Sequence, residues 1–98
     1  MSRTRNYSQD TLNVMERFYV ALEACKYSKV INSVSEYCEK NNIESAALYR
    51  QRKHRERGLF EIGWAVPLIR DCGVSARWLM TGVGSMFARS EERRVGKE

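Results

Sequence analysis

The chain is 98 residues long, with 43% hydrophobic residues, 30% charged residues and a formal net charge of +5. This length allows one hydrophobic core, but not a core together with a deep catalytic cleft. The polar N-terminus excludes a secretory signal, and no apolar run approaches the roughly 18–20 residues that span a bilayer. We therefore expect a cytoplasmic protein with no membrane segment.

The positive charge is concentrated in one short segment. Residues 1–49 contain six basic and six acidic side chains, residues 58–87 contain two of each, and the tail from Ala88 contains four basic and three acidic ones. Residues 50–57 contain five basic side chains and one acidic one, Glu56. A local basic cluster on an otherwise neutral domain is typical of nucleic-acid-binding proteins, although most charge runs are only a solvated face.

The N-terminal half of the chain carries two predicted helices. Apolar residues at helical spacing predict the first helix over residues 11–26, with Ser8 or Asp10 as its cap. The run from Ser33 to Glu36 is a capping-box pattern, in which Ser33 caps a second helix and Glu36 returns to the Ser33 amide. This short helix ends near residue 40 and faces inward through Val34, Tyr37 and Cys38.

A tight turn leads into a third helix. Asparagine tolerates the left-handed backbone conformation better than other non-glycine residues, so Asn42 can end the second helix and let another begin. The third helix is predicted from Glu44 or Ser45 to Arg57, with Gly58 as its C-terminal cap.

Two further helices follow. An apolar segment over residues 60–69 contains Pro67, so its helix either begins late, with Pro67 in the first turn, or is kinked. Gly73 ends that helix, Ser75 caps a fifth one, and Gly82 closes it. We therefore predict an all-α protein without strands, in three parts: a flexible N-terminal arm (1–10), a compact five-helix domain (11–87), and a charged, disordered tail (88–98).

The second and third helices meet the requirements of a helix-turn-helix unit. The small residue Cys38 falls where the two helices approach each other, and Asn42 supplies the turn between them. Ile43 and Leu48 provide the apolar corner and the apolar middle of the third helix. The opposite face is then available to enter a DNA major groove: Ser45, Ala46, Tyr49, Arg50 and Lys53.

Metal binding and catalysis are not predicted. Three widely spaced cysteines and one histidine do not make a four-ligand zinc site, so we expect buried thiols acting as small hydrophobic side chains. His54 lies inside the basic segment without a catalytic partner pattern, and the run from Thr81 to Gly84 is too short for a phosphate-binding loop. We expect no enzyme activity, cofactor or small-molecule ligand.

The chain resembles the lambda-repressor-like helix-turn-helix family, phage CI repressors in particular, over roughly residues 12–87. The clearest part is Gly-Val-Ser-Ala-Arg-Trp-Leu-Met-Thr-Gly-Val-Gly at residues 73–84, which is similar to the family's fifth-helix signature. Trp64 also falls where members often place a tryptophan. Four positions depart from the pattern: Asn42 for a turn glycine, Glu44 for a Ser or Thr cap, Gln51 for an apolar residue, and Pro67 within helix four.

This resemblance implies a sequence-specific regulator of transcription that binds double-stranded DNA, a repressor acting as a homodimer. The family's base-contacting positions correspond to Ser45, Ala46 and Arg50, flanked by Glu44 and Tyr49. The Arg50 guanidinium has the geometry to donate hydrogen bonds to the O6 and N7 atoms of guanine; the alternative is that it binds a phosphate. Phosphate contacts are implied at the start of the second helix and along the basic segment, at Ser33, Ser35, Arg52, Lys53, Arg55 and Arg57.

Two other functions remain open on the sequence. The same fold serves as a protein-interaction adaptor or antitoxin-like partner, and the basic segment could bind RNA with Tyr49 as its aromatic platform. The apolar end of the domain is a candidate dimer interface, or alternatively packs onto the first helix: Val83, Met86 and Phe87.

Overall fold

The computed structural model describes residues 7–55 and 57–88. These residues form five α-helices: α1 (Gln9–Tyr27), α2 (Val34–Lys40), α3 (Ser45–Lys53), α4 (Val66–Cys72) and α5 (Ala76–Thr81), with a 3-10 turn at Ile62–Trp64. No strand is formed within the described ranges, so the prediction of a compact, mostly helical fold with five helices is confirmed. Most of the predicted arm and tail, residues 1–6 and 89–98, lies outside the described residues.

Helix α1 runs through the hydrophobic core. It begins two residues earlier than predicted because Ser8 is the cap, and the Ser8 hydroxyl accepts a hydrogen bond from the Thr11 N–H at 3.2 Å. Residues three and four apart share one face of a helix. On the inward face of α1 this spacing places four fully buried side chains: Met15, Phe18, Leu22 and Cys25.

An aromatic cluster joins the 3-10 turn to α1. The Phe18 ring centre lies 5.7 Å from that of Phe60 and 6.3 Å from that of Trp64. Phe60 and Trp64 meet edge to face at 5.6 Å, an arrangement that stabilises by about 0.5–1.5 kcal/mol beyond burial alone. The Tyr37 hydroxyl donates to the Trp64 carbonyl at 2.6 Å, which ties α2 to the same turn.

The predicted boundaries of the last two helices are confirmed. Pro67 lies in the first turn of α4, where its missing N–H costs no helical hydrogen bond. Gly73 ends α4 and Gly82 ends α5, both in the left-handed conformation with φ of 81° and 79°. Ser75 caps α5 by accepting a hydrogen bond from the Trp78 N–H at 3.2 Å.

Two predictions about helix ends are wrong. Helix α3 ends at Lys53 with His54 as the C-terminal capping residue, rather than continuing to Arg57 and Gly58. The second error concerns the capping box: the Glu36 carboxylate accepts from the backbone and side-chain N–H groups of Asn32, at 3.3 and 3.2 Å, instead of from the Ser33 amide. Ser33 itself caps α2 as predicted.

The apolar residues after α5 do not all join the core. Val74 and Phe87 form an isolated antiparallel bridge, with the Ser75 N–H donating to the Met86 carbonyl at 2.8 Å. Met86 packs against the core, whereas Val83 and Phe87 remain 50% and 37% exposed.

The cysteines behave as predicted: all three are free thiols, two buried and one half-buried, at Cys25, Cys38 and Cys72. Burial raises the pKa of the Cys25 thiol to about 12. Within the described ranges, no helix combines the length and apolar character needed to cross a membrane.

Candidate nucleic-acid interface

The connection between α2 and α3 is short and internally bonded. Asn42 takes the left-handed conformation with φ of 59°, as its residue type predicts. The Ile43 N–H donates to the Cys38 carbonyl at 2.8 Å, and Cys38 is itself buried. These contacts fix the direction in which the chain leaves α2 and enters α3.

Helix α3 is held on its inner face by two fully buried side chains, Leu48 and Gln51. The Tyr19 hydroxyl of α1 donates to the Leu48 carbonyl at 2.8 Å inside the core. Burial raises the pKa of Tyr19, so this hydroxyl keeps its proton and remains a donor at neutral pH.

Gln51 has a structural role behind the candidate surface that the sequence does not predict. Its side-chain oxygen accepts from the N–H groups of Leu59 and Phe60, at 2.7 and 3.1 Å. Its side-chain nitrogen donates to the carbonyls of Arg55 and His54, at 3.0 and 3.4 Å. The available signal was a polar residue where an apolar one was expected: a buried amide must find partners, and here they are the backbone after α3.

The outer face of α3 carries the five predicted base-contacting residues at or near its N-terminal two turns. Ala46, Tyr49 and Arg50 are exposed, with 43% of Tyr49 accessible, and Ser45 is half-buried. Glu44 precedes the helix, is exposed, and makes no side-chain capping bond. Lys53 follows Arg50 on the same side and is also exposed. Helical spacing thus places Ala46, Tyr49, Arg50 and Lys53 within about 100° of one another on one accessible surface, with Ser45 at its edge.

The remaining predicted phosphate contacts are more dispersed. Ser35 is exposed in the first turn of α2, whereas the Ser33 oxygen is engaged as a cap, accepting from the Glu36 N–H at 3.0 Å. Arg57 lies in the turn after α3, where its N–H donates to the His54 carbonyl at 3.0 Å. Since α3 ends at Lys53, Arg55 and Arg57 are not part of the helix.

Arg52 and Arg55 make ion pairs with α1. Arg52 lies 2.7 Å from the Glu23 carboxylate and Arg55 lies 2.6 Å from the Glu16 carboxylate. The Arg52 guanidinium also sits 5.6 Å from the Tyr19 ring centre. The hydrogen bond from Arg52 lowers the pKa of Glu23, which keeps this partner ionised at neutral pH. Two of the predicted phosphate contacts therefore already have anionic partners within the domain.

Comparison with known proteins provides no further guide: no family model, curated protein or solved structure matches this chain.

Proposed function

We propose that this chain is a sequence-specific double-stranded DNA-binding protein, with α2, the Asn42 turn and α3 acting as a helix-turn-helix unit of the lambda-repressor-like type. The observation that carries the proposal is the outer surface of α3. Arg50, Tyr49 and Ala46 are exposed there, while Leu48 and Gln51 anchor the opposite side of the same short helix. A helix with one face anchored in the core and one exposed, basic and polar face suits insertion into a major groove.

The proposed roles follow from side-chain chemistry. Arg50 donates two hydrogen bonds to guanine O6 and N7, a contact that discriminates by about 1–3 kcal/mol. Ala46 packs against a thymine methyl, and Ser45 and Tyr49 offer hydroxyl groups to neighbouring base edges or phosphates. Lys53, one turn beyond Tyr49, neutralises a flanking phosphate. Glu44 places a negative charge at the start of the helix, which disfavours positions close to a phosphate.

Repression would be steric, with the bound protein excluding polymerase from the promoter. We propose that the protein acts as a homodimer on a two-fold symmetric site, because a single short helix contacts too few base pairs for a specific genomic site. Val83 and Phe87, both exposed at the end of the domain, are candidate dimer contacts.

The test is selection from a randomised duplex pool, followed by fluorescence-anisotropy titration of an enriched and a scrambled duplex at several salt concentrations. We expect enrichment of a site containing guanine, and a log–log salt slope of about −0.9 per phosphate contacted. Arg50→Ala should remove the preference for the enriched duplex, at a loss of about 1–3 kcal/mol.

Arg77→Ala is the matched control, because Arg77 is an exposed arginine on α5 and its removal changes the net charge equally. An equal loss on both duplexes for Arg50→Ala would make Arg50 a phosphate contact. Absence of enrichment together with absence of binding at low salt would refute the proposed function.

A second candidate, a protein-interaction adaptor, is favoured by the exposed apolar residues around α5. Met80, Val83 and Phe87 are 42%, 50% and 37% exposed. A partner docked on these side chains would bind with weak salt dependence and be lost in Val83→Ser and Phe87→Ser, neither of which removes a charge from α3.

A further inference from the structure

Two glutamates on α1 lie opposite the two arginines that follow the candidate DNA-contacting surface. Glu16 and Glu23 are seven residues apart, which is about two helical turns, so they lie on the same side of α1. The carboxylate of Glu16 binds Arg55 at 2.6 Å, and that of Glu23 binds Arg52 at 2.7 Å. The four side chains form a double ion pair that joins α1 to the C-terminal end of α3 and to the turn that follows it.

Each guanidinium group also contacts a neutral group, which further defines its position. The Arg52 group lies over the Tyr19 ring, 5.6 Å from its centre. The Arg55 Nε donates to the Arg52 carbonyl at 3.5 Å. Along α3, Arg52 is about 200° around the helix from Arg50. Arg52 therefore lies at the edge of the outer face, next to Tyr49 and opposite Arg50, where its guanidinium contacts α1.

We propose that Glu16 and Glu23 limit the affinity of the domain for duplex phosphates by holding Arg52 and Arg55 away from the phosphate backbone. This inference rests on the proposed function, which it deepens. Each carboxylate gives its arginine an internal anionic partner, so a phosphate must displace a carboxylate before it can bind. Duplex binding is then left to Arg50, Lys53 and the other groups on the outer face of α3.

The physical basis is the difference between the two kinds of affinity. Phosphate contacts supply nearly all of the binding to a random duplex, whereas base contacts supply the preference for one site. When these two arginines are paired with carboxylates inside the domain, every duplex loses the same phosphate contacts. The affinity for every duplex therefore falls by a similar factor. The two carboxylates therefore lower duplex affinity in general, while the preference for one site remains set by the base contacts.

The test compares two double variants with the same change in net charge. Glu16→Gln/Glu23→Gln removes both partner carboxylates, and Asp10→Asn/Glu39→Gln removes two exposed carboxylates of α1 and α2 that lie outside the ion pairs. Exposed ion pairs contribute little to folding, so both variants should keep the helical circular dichroism of the wild type.

We expect Glu16→Gln/Glu23→Gln to bind a scrambled duplex about three- to tenfold more tightly than the control variant near 0.1 M salt. Its salt slope should be steeper by about 1–2 units per protomer, because each protomer contacts two additional phosphates at about 0.9 unit each. The affinity for the selected site should rise by the same factor, while Arg50→Ala still removes the preference.

Heparin chromatography keeps the inference separable from the proposed function. Heparin is a polyanion without base edges, and the salt needed for elution reports the number of free cationic groups. Later elution of Glu16→Gln/Glu23→Gln than of the control supports the inference, even if no duplex is bound and the DNA-binding proposal fails. Equal elution and equal salt slopes for the two variants would overturn the inference, even if the wild type binds a specific site.

Discussion

The buried amide of Gln51 gives the most quantitative prediction. Gln51→Leu keeps a side chain of similar size at a position with 0% exposure, so it removes hydrogen bonds without leaving a large cavity. Three close bonds are lost, to the N–H groups of Leu59 and Phe60 at 2.7 and 3.1 Å and to the Arg55 carbonyl at 3.0 Å. All three partners are backbone groups of half-buried residues.

The expected loss follows from these three bonds. An unsatisfied buried polar group costs about 1–3 kcal/mol. Since Leu59, Phe60 and Arg55 are only partly buried, water can replace part of each bond, and the lower end of that range applies to each. We therefore expect Gln51→Leu to lower the free energy of unfolding by about 3 kcal/mol, a large share of the 5–15 kcal/mol typical of a small domain.

Urea denaturation followed by circular dichroism measures this loss. With a dependence on urea of about 1–3 kcal/mol per molar, a loss of 3 kcal/mol lowers the midpoint by at least about 1 M. Lys53→Leu is the control, because Lys53 is exposed in the same helix and the new side chain is identical. Its stability should change by less than about 0.5 kcal/mol. If the two variants had the same midpoint, Gln51 would not be organising the backbone after α3.

Two further predictions concern the packing of α1. Arg17→Ala should lower the free energy of unfolding by about 1–2 kcal/mol, because the guanidinium donates to the carbonyls of Leu79 and Met80 at 2.7 and 3.2 Å and so binds the C-terminal end of α5. The control Arg77→Ala, at an exposed position, should leave the urea midpoint unchanged. A matching fall in both variants would contradict the role of Arg17. The second prediction is a loss of stability in alkali. Burial raises the pKa of Cys25 from 9.0 to about 12, so the contribution of the buried neutral thiol to the free energy of unfolding is complete below pH 9 and declines as the pH rises towards 12. The urea midpoint should therefore fall as the pH rises above about 9 towards 12, and fall less steeply in Cys25→Ala; an equally steep fall in that variant would exclude the thiol as a cause.

Features with a local cause were predictable from the sequence. A serine before an apolar run can cap a helix by itself, which is why Ser33 and Ser75 were correctly placed as caps. Asn42 and Gly73 adopt left-handed conformations that follow from their own residue types. The accessible side of α3 was also predictable, because helical periodicity alone separates Arg50 from the buried Leu48.

Features that depend on distant residues were not predictable. The helical pattern of α3 contains no stop signal at Lys53, and its end there coincides with bonds from Gln51 to residues three, four, eight and nine positions further along. The two ion pairs join residues 29 and 39 positions apart, and exposed charges carry no sequence pattern that specifies such partners. For the same reason, charge alone predicts phosphate contacts for Arg52 and Arg55 just as it does for Lys53.

The early end of α3 changes how the basic segment should be understood. A continuous helix through Arg57 would have distributed its cations around the helix axis, with some always facing solvent. Instead the chain turns after Lys53, and the buried Gln51 amide binds the Arg55 carbonyl while the Arg55 guanidinium reaches Glu16. The backbone bond and the ion pair therefore act on the same residue, so that Gln51→Leu should also loosen the Arg55 pair. If the double ion pair restrains phosphate binding as we propose, Gln51→Leu, tested where it remains folded, should elute later from heparin than the wild type, which has the same net charge.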